Sequence, residues 1–376
     1  MQIRNDMPHS HSALSLSYLS LTMLLPLIGH QLLRERLDAQ VIRGALPASL
    51  LLHGAPGIGK QRLALWLGQR LLCTGAGPPC GECQHCKYCL LGAHPDLRWY
   101  FPRPRKTLGS DPPLDDVADE YAEAIAERLK SDGLYGRPDG SEGIFVHVSR
   151  LIVRQAAITP AMASRKVFVV GEADRMVSQA ASPEAANAFL KLLEEPLADT
   201  TIVLTSSEPG ALLPTIRSRV VSIRVAPLPD ADVRAFLAQP AVGSAVAAKG
   251  VSQDELVRLA HGAPGALLGA ADHGAIVARA RALLAAARGG RDQLLRAAFV
   301  QGVSKARGAF SDVLDAITVL LHEQARAAAR AGDSARAVRS AKAVRVVEDA
   351  KRIAEGNVSP QLITANLLRT LSEIGV

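Results

Sequence analysis

The sequence predicts an α/β fold. A parallel sheet covered by helices carries an inserted cysteine knuckle, and a small helical unit and an all-α C-terminal domain follow it. Three observations predict this. Short apolar runs alternate with amphipathic stretches between about residues 48 and 224. The first of these runs feeds into a glycine loop that ends in lysine. Beyond about residue 228 the strand signals stop, and helical spacing rich in Ala, Arg and Leu continues.

Each element has its own signal. "ASLLLHG" (Ala48 to Gly54) is a short apolar run closed by glycine, a buried strand. The loop "GAPGIGK" follows, then a helix over about Lys60 to Leu72. After the cysteines, "HPDLRWYFPRPRK" reads as a strand leaving the knuckle. Residues 106–142 are rich in Gly, Pro and Asp, and read as an inserted surface excursion, although "VADEYAEAIAERL" within it has helical spacing. "GIFVHVSRLIVRQAAI" gives a strand entering a helix, and Val167 to Val170 form a second buried strand followed by acidic residues. "SPEAANAFLKLLEE" is a helix with Ser182 as N-cap and Pro183 at its first position. "TTIVLTSS" is a third strand, and "LLPTIRSRVVSIRV" a turn, a short helix and a last strand. A Gly-rich break near residues 262–274 divides the helical remainder. The expected organisation is therefore a disordered extension at 1–22, the sheet domain at 23–225, a helical lid at 226–274 and a helical oligomerisation domain at 275–376.

Bulk properties narrow the class. A chain of 376 residues implies two or three domains. It is 48% hydrophobic but only 4% aromatic, so its cores are built mainly from Leu, Val and Ala. A net charge of +7 permits a polyanionic partner without demanding one. All five cysteines lie between Cys73 and Cys89. A disulfide framework spreads its cysteines through the fold, whereas a metal site clusters them, so we expect one metal in a reducing, cytoplasmic setting. The apolar stretch Ala13 to Gly29 is interrupted by serines and by Pro26 and lacks a small-x-small cleavage site. It reads as an extension, neither an export signal nor a membrane span.

The glycine loop predicts phosphate binding. Gly54, Gly57 and Gly59 let backbone N–H groups close around phosphate oxygens at a helix N-terminus, and Lys60 is positioned for the outer phosphates. The next residue normally supplies a hydroxyl to magnesium, but here it is Gln61. A hydrolysing P-loop enzyme also places Asp-Glu after the second strand. This chain has Gly171-Glu172, so the water-orienting Glu remains and the metal-binding Asp is missing. Asp174 lies three residues beyond Gly171, where a helical turn directs it elsewhere. The simpler alternative is a glycine turn with no ligand.

Cys80, Cys83 and Cys86 repeat at CxxC spacing, with Cys73 before and Cys89 after. That spacing suits tetrahedral zinc, and an iron–sulfur cluster is the rival. One cysteine of the five is spare, and the spacing alone does not say which. Arg150 and Arg154 stand at i and i+4 on one helix face, either a solvated face or a DNA phosphate contact. Arg219 closes "TIRSR" beside the last strand.

"GAPGIGK", "CGECQHC", "HPD", "KVFVVGEADRM", "AANAFLKLLEEP" and "LLPTIRSR" occur in this order. Together they resemble the clamp-loader branch of the AAA+ proteins, from about residue 24 to 228 and more weakly beyond. The resemblance implies an AAA+ domain, a lid and a collar that joins a five-subunit ring with gamma/tau motor subunits and a delta subunit. Such a ring loads a sliding clamp onto primer–template DNA for DNA polymerase III. Gln61 and Gly171 fit that family's non-hydrolysing stator, which binds no ATP productively. The stretch Gly262-Ala263-Pro264-Gly265 agrees, since it lacks the motors' nucleotide-sensing arginine. The resemblance assigns Arg219 as a finger acting in trans on a neighbour's ATP. It maps structural zinc onto Cys73, Cys80, Cys83 and Cys86. The short gap from Cys73 to Cys80 keeps Cys89 as the alternative fourth ligand. Two other functions compete: an active motor of the same family, with Lys60 holding phosphate and Glu172 as base, and a zinc-stabilised protein-binding module on a degenerate scaffold.

Overall fold

The computed structural model describes residues 22–104, 112–136, 142–176, 183–246, 252–268, 273–300, 307–354 and 358–375. The sequence-predicted extension up to residue 21 and the N-cap Ser182 lie outside the described residues.

Strands β1 (Ser49–His53), β2 (Leu97–Tyr100), β5 (Lys166–Val170), β6 (Thr200–Ser206) and β7 (Val221–Arg224) form one parallel sheet, in the order β2-β5-β6-β1-β7. β3 (Arg103–Pro104) and β4 (Glu142–Gly143) pair separately and antiparallel. The strand expected at the start of "GIFVHV" is thus only this short β4, outside the main sheet. Every residue of β5 and β6 is buried, and so are the first four of β1. Their Val, Ile and Leu side chains sit between helices on both faces, which is why the centres of these runs are apolar and do not alternate. Leu51, centred in this layer, is 1% exposed, and its replacement by Ala would cost about 3 kcal/mol.

The helices of this domain are α1 (Gln31–Ile42), α2 (Lys60–Leu72), α3 (Gln84–Leu90), α4 (Leu114–Leu129), α5 (Val146–Ala156), α6 (Pro183–Glu194) and α7 (Pro214–Arg217). α2 has the bounds the sequence predicts. It stops where Cys73 turns extended to enter the knuckle. One expectation is corrected: α4 is not a surface excursion. Val117, Tyr121, Ala124 and Leu129 are buried in the main core, and the Tyr121 hydroxyl donates to the Phe101 carbonyl at 2.8 Å. The Pro- and Gly-rich flanks suggested a loop, but the i, i+4, i+7 spacing of these apolar side chains gives α4 a face that packs.

The lid comprises α8 (Asp230–Leu237), α9 (Pro240–Ala245), α10 (Gln253–Ala260) and a 3-10 turn at Pro264–Leu267. It has its own apolar cluster, which includes Val233, Val242 and Val257 and is joined by Leu25 and Leu134. Helices α11 (His273–Ala287), α12 (Arg291–Phe299), α13 (Arg307–Arg330), α14 (Ser334–Ala354) and α15 (Pro360–Ile374) form a third cluster around Leu314, Ile317, Leu321 and Leu368. No helix among the described residues is long and apolar enough to cross a membrane.

Candidate functional site

The glycine loop joins β1 to α2, as the sequence predicts. Gly57 has a φ of 79°, a left-handed conformation in which a side chain would be strained. The lid touches this loop directly. The Gly265 N–H of the lid donates to the Gly57 carbonyl at 2.9 Å. A Cβ on Gly57 would stand 2.3 Å from the Ala266 nitrogen, and one on Gly265 would stand 2.8 Å from the Gly57 oxygen. The stretch that lacks the sensor arginine therefore lies directly on the phosphate loop. On the other side, the His30 Nε2 lies 2.7 Å from the Ile58 carbonyl.

Lys60 turns into its own loop. Its Nζ donates to the Gly54 carbonyl at 2.9 Å, the Ala55 carbonyl at 2.8 Å and the Ser207 Oγ at 2.9 Å. Those bonds use all three ammonium donors. Burial pulls its pKa down to about 8, against the opposing pull of the Glu172 and Asp174 carboxylates.

Gln61 is buried, and its Oε1 accepts from the Trp99 Nε1 at 2.9 Å. Its amide fills the space beside Gly171: a Cβ there would lie 2.3 Å from the Gln61 Cδ. Glu172 adopts a left-handed φ of 51°. Its N–H donates to the Thr205 Oγ1 at 3.0 Å, and its carboxylate lies 3.3 Å from the Arg175 Nε. Asp174 accepts from the Ser207 N–H at 3.2 Å, so it is used within the domain. Arg128 of α4, absent from the sequence-level candidates, stacks at 3.3 Å from the Phe101 ring centroid and 3.9 Å from that of Tyr135. It closes the core beside Trp99. A helix-spaced arginine between Gly- and Pro-rich flanks carries no local signal of this burial.

The cysteine knuckle is well defined. The sulfurs of Cys73, Cys80, Cys83 and Cys86 all lie within 4.8 Å of one another. Cys73 and Cys80 are 3.5 Å apart, Cys80 and Cys86 3.9 Å, and Cys73 and Cys83 3.9 Å. A tetrahedral ion with metal–sulfur bonds of about 2.3 Å requires separations of about 3.8 Å, so these residues fit a tetrahedral thiolate-bound metal. The Cys83 and Cys86 N–H groups donate to the sulfurs of Cys80 and Cys83 at 3.3 and 3.4 Å, which favours thiolates. Burial raises the Cys83 pKa, but the Cys86 and Thr74 N–H groups and the neighbouring thiols outweigh it and bring the thiol down to about 5. Cys89 stands outside the group. It is 3% exposed in the apolar core, and burial pushes its thiol far up.

"HPD" ties the knuckle to the sheet. The Asp96 N–H donates to the His94 Nδ1 at 3.0 Å, and the His94 Nε2 lies 2.9 Å from the Nδ1 of His85, inside the knuckle. The Asp96 carboxylate accepts from the Ala161, Met162 and Ala163 N–H groups at 2.7, 2.8 and 2.8 Å.

The arginines are dispersed. Arg150 and Arg154 do share α5, but Arg154 is ion-paired with Asp115 of α4. Arg219 follows α7 and donates from Nε to Glu194 Oε2 and from Nη1 to the Thr215 carbonyl, both at 2.9 Å.

Residues 29–229 match the family model described as "DNA polymerase III, delta subunit". The DNA polymerase III subunit delta' of Pseudomonas aeruginosa is 33% identical over 183 residues, 48% of this chain and 43% of that protein. That of Escherichia coli is 29% identical over 240 residues, 62% of this chain and 57% of that protein. The subunit gamma/tau of Mycobacterium tuberculosis is 27% identical over 215 residues, 56% of this chain and 30% of that protein. The chain thus matches about half the length of its delta' relatives. The matched region holds the glycine loop, the knuckle, Gly171-Glu172 and Arg219, and the family model spans more than half of the 376 residues. The chain belongs to this DNA polymerase III family, and the curated relatives it matches over this region include its delta-prime subunits.

Proposed function

We propose that this chain is a non-hydrolysing stator of the DNA polymerase III clamp loader. The observation that carries the reading is the packing of Gln61 against Gly171. Magnesium on a P-loop nucleotide needs a hydroxyl at the first position and a carboxylate at the second. Here an amide fills the space between them and bonds to Trp99. The inward-facing Lys60 and the lid seated on Gly57 support the same conclusion. ATP is therefore not bound productively.

In this reading the chain contributes shape and one cation. Arg219 sits on the surface beside β7, held by Glu194, and exchanges that carboxylate for the phosphates of a neighbouring motor's ATP. The partners are gamma/tau motors and a delta subunit, with the sliding clamp reached indirectly through the cytoplasmic complex. Primer–template DNA is met by the assembled ring through phosphates, with Arg150 and Arg154 as candidate contacts. A zinc ion on Cys73, Cys80, Cys83 and Cys86 is structural, since four protein ligands leave no open position. The similarity to gamma/tau raises the motor alternative, against which Gln61 and Gly171 both count.

Reconstitution with a motor and a delta subunit tests the proposal. Wild type and Arg219→Ala are expected to assemble equally, with DNA-stimulated ATP turnover reduced in the variant complex. Equal turnover in both complexes would remove the finger role.

A further inference from the structure

Away from the glycine loop, the C-terminal helical cluster opens into a cavity of about 410 Å³. Arg288 just past α11, Gln324 on α13, Arg336, Arg339 and Ser340 on α14, and Ser372 on α15 line it. Three guanidinium-bearing side chains thus border one space. No carboxylate and no aromatic ring lines it among the described residues.

The helices hold this lining in place. Arg336, Arg339 and Ser340 are three and four residues apart, so they share a strip of α14. Ser340 is buried and forms the base of that strip. The Arg336 N–H is anchored by the Asp333 carboxylate at 2.9 Å, which fixes the start of α14. α15 ends in the left-handed Gly375, whose backbone brings it within reach of the Arg339 stem.

The Arg336 and Arg339 guanidiniums stand on one strip as like charges, and an anion between them relieves their repulsion. Guanidinium forks match phosphate oxygens in paired hydrogen bonds, and the serine hydroxyls and Gln324 amide add neutral donors. The volume is that of a small-molecule site. With no aromatic ring present, the lining addresses the anion's oxygens and offers no surface for base stacking. We propose that this cavity binds the phosphate groups of a small polyphosphate ligand.

Calorimetric titration of inorganic pyrophosphate into the full chain at low salt tests this. Three proteins are compared: wild type, the double variant Arg336→Gln with Arg339→Gln, and Lys60→Ala. Saturable binding to wild type is expected, with affinity about tenfold or more weaker in the double variant. Lys60→Ala is expected to bind like wild type, which separates this cavity from the glycine loop. Because both arginines are exposed, the double variant keeps its fold, which its unaltered circular dichroism checks. Pyrophosphate should raise the melting temperature of wild type and not of the double variant. Absence of saturable binding to wild type, equal binding by the double variant, or loss of binding in Lys60→Ala would each overturn the proposal. A single-stranded oligonucleotide that binds through these arginines while pyrophosphate does not would also overturn it, in favour of a nucleic-acid track.

Discussion

Gln61 and Gly171 share one space. The Gln61 amide lies where a side chain at position 171 would begin, 2.3 Å from an added Cβ. The two departures from a hydrolysing site are therefore coupled sterically: an Asp at 171 has room only if the Gln61 amide leaves its place on Trp99. Restoring the carboxylate alone, Gly171→Asp, is expected to overpack the site and cost about 2 kcal/mol. In the double variant Gln61→Thr with Gly171→Asp, that clash disappears. Denaturant unfolding of the four proteins in a double-mutant cycle should show a favourable coupling of about 1 kcal/mol or more. Additive effects would mean that the two positions are independent.

The contact between Gly265 and Gly57 predicts a stiff joint between lid and sheet domain. Gly265→Ala places a methyl carbon 2.8 Å from the Gly57 oxygen and should loosen lid docking by about 1–3 kcal/mol. Hydrogen exchange should then speed up at the Gly265 amide and through the glycine loop, while the strand amides of β5 and β6 stay protected. Unchanged protection at Gly265 would show that the joint carries no such tension.

The knuckle predicts one zinc per chain. Cys86→Ser should lose the metal, whereas Cys89→Ala should keep it and cost only the small cavity left in the core, about 1–2 kcal/mol. Gly75→Ala should also weaken metal binding, since its Cβ would press on the Cys80 sulfur at 2.5 Å. Elemental analysis of the purified variants checks all three.

Lys60 gives a pH dependence. Its folded pKa is lowered from 10.5 to about 8 by burial, so between those values the unfolded chain binds more protons than the folded one. Stability then rises with pH across that window, and the burial penalty is fully present below pH 8. Relative to Lys60→Met, wild type should therefore gain stability from pH 8 to 10, measured by urea unfolding at each pH. A constant difference between the two proteins would mean that Lys60 is not strained by burial.

The sheet domain was legible because its signals are local. An apolar run, a glycine loop and an amphipathic helix specify β1 and α2 within a few residues of sequence, and CxxC spacing specifies the knuckle. The choice between Cys73 and Cys89 was less accessible. It depends on where the chain returns after Cys73, and only the fold shows Cys89 turned into the core. α4 is harder to read from sequence, because its Gly- and Pro-rich flanks mask the spacing of Val117, Tyr121 and Ala124. Gln61 and Gly171 were each readable as departures, but their mutual contact joins α2 to the end of β5, over a hundred residues apart, and no local pattern encodes it. The same holds for Gly57 with Gly265, and for the stacking of Arg128 on Phe101 and Tyr135.

Magnesium-dependent ATP binding and hydrolysis by the isolated chain test the central claim most directly. Equilibrium dialysis with radiolabelled ATP measures the first, and phosphate release the second. The account predicts no magnesium-dependent increase in ATP binding and no turnover above buffer, with Lys60→Ala indistinguishable from wild type. Turnover by wild type that Lys60→Ala abolishes would contradict it, and would make this chain a motor despite Gln61 and Gly171.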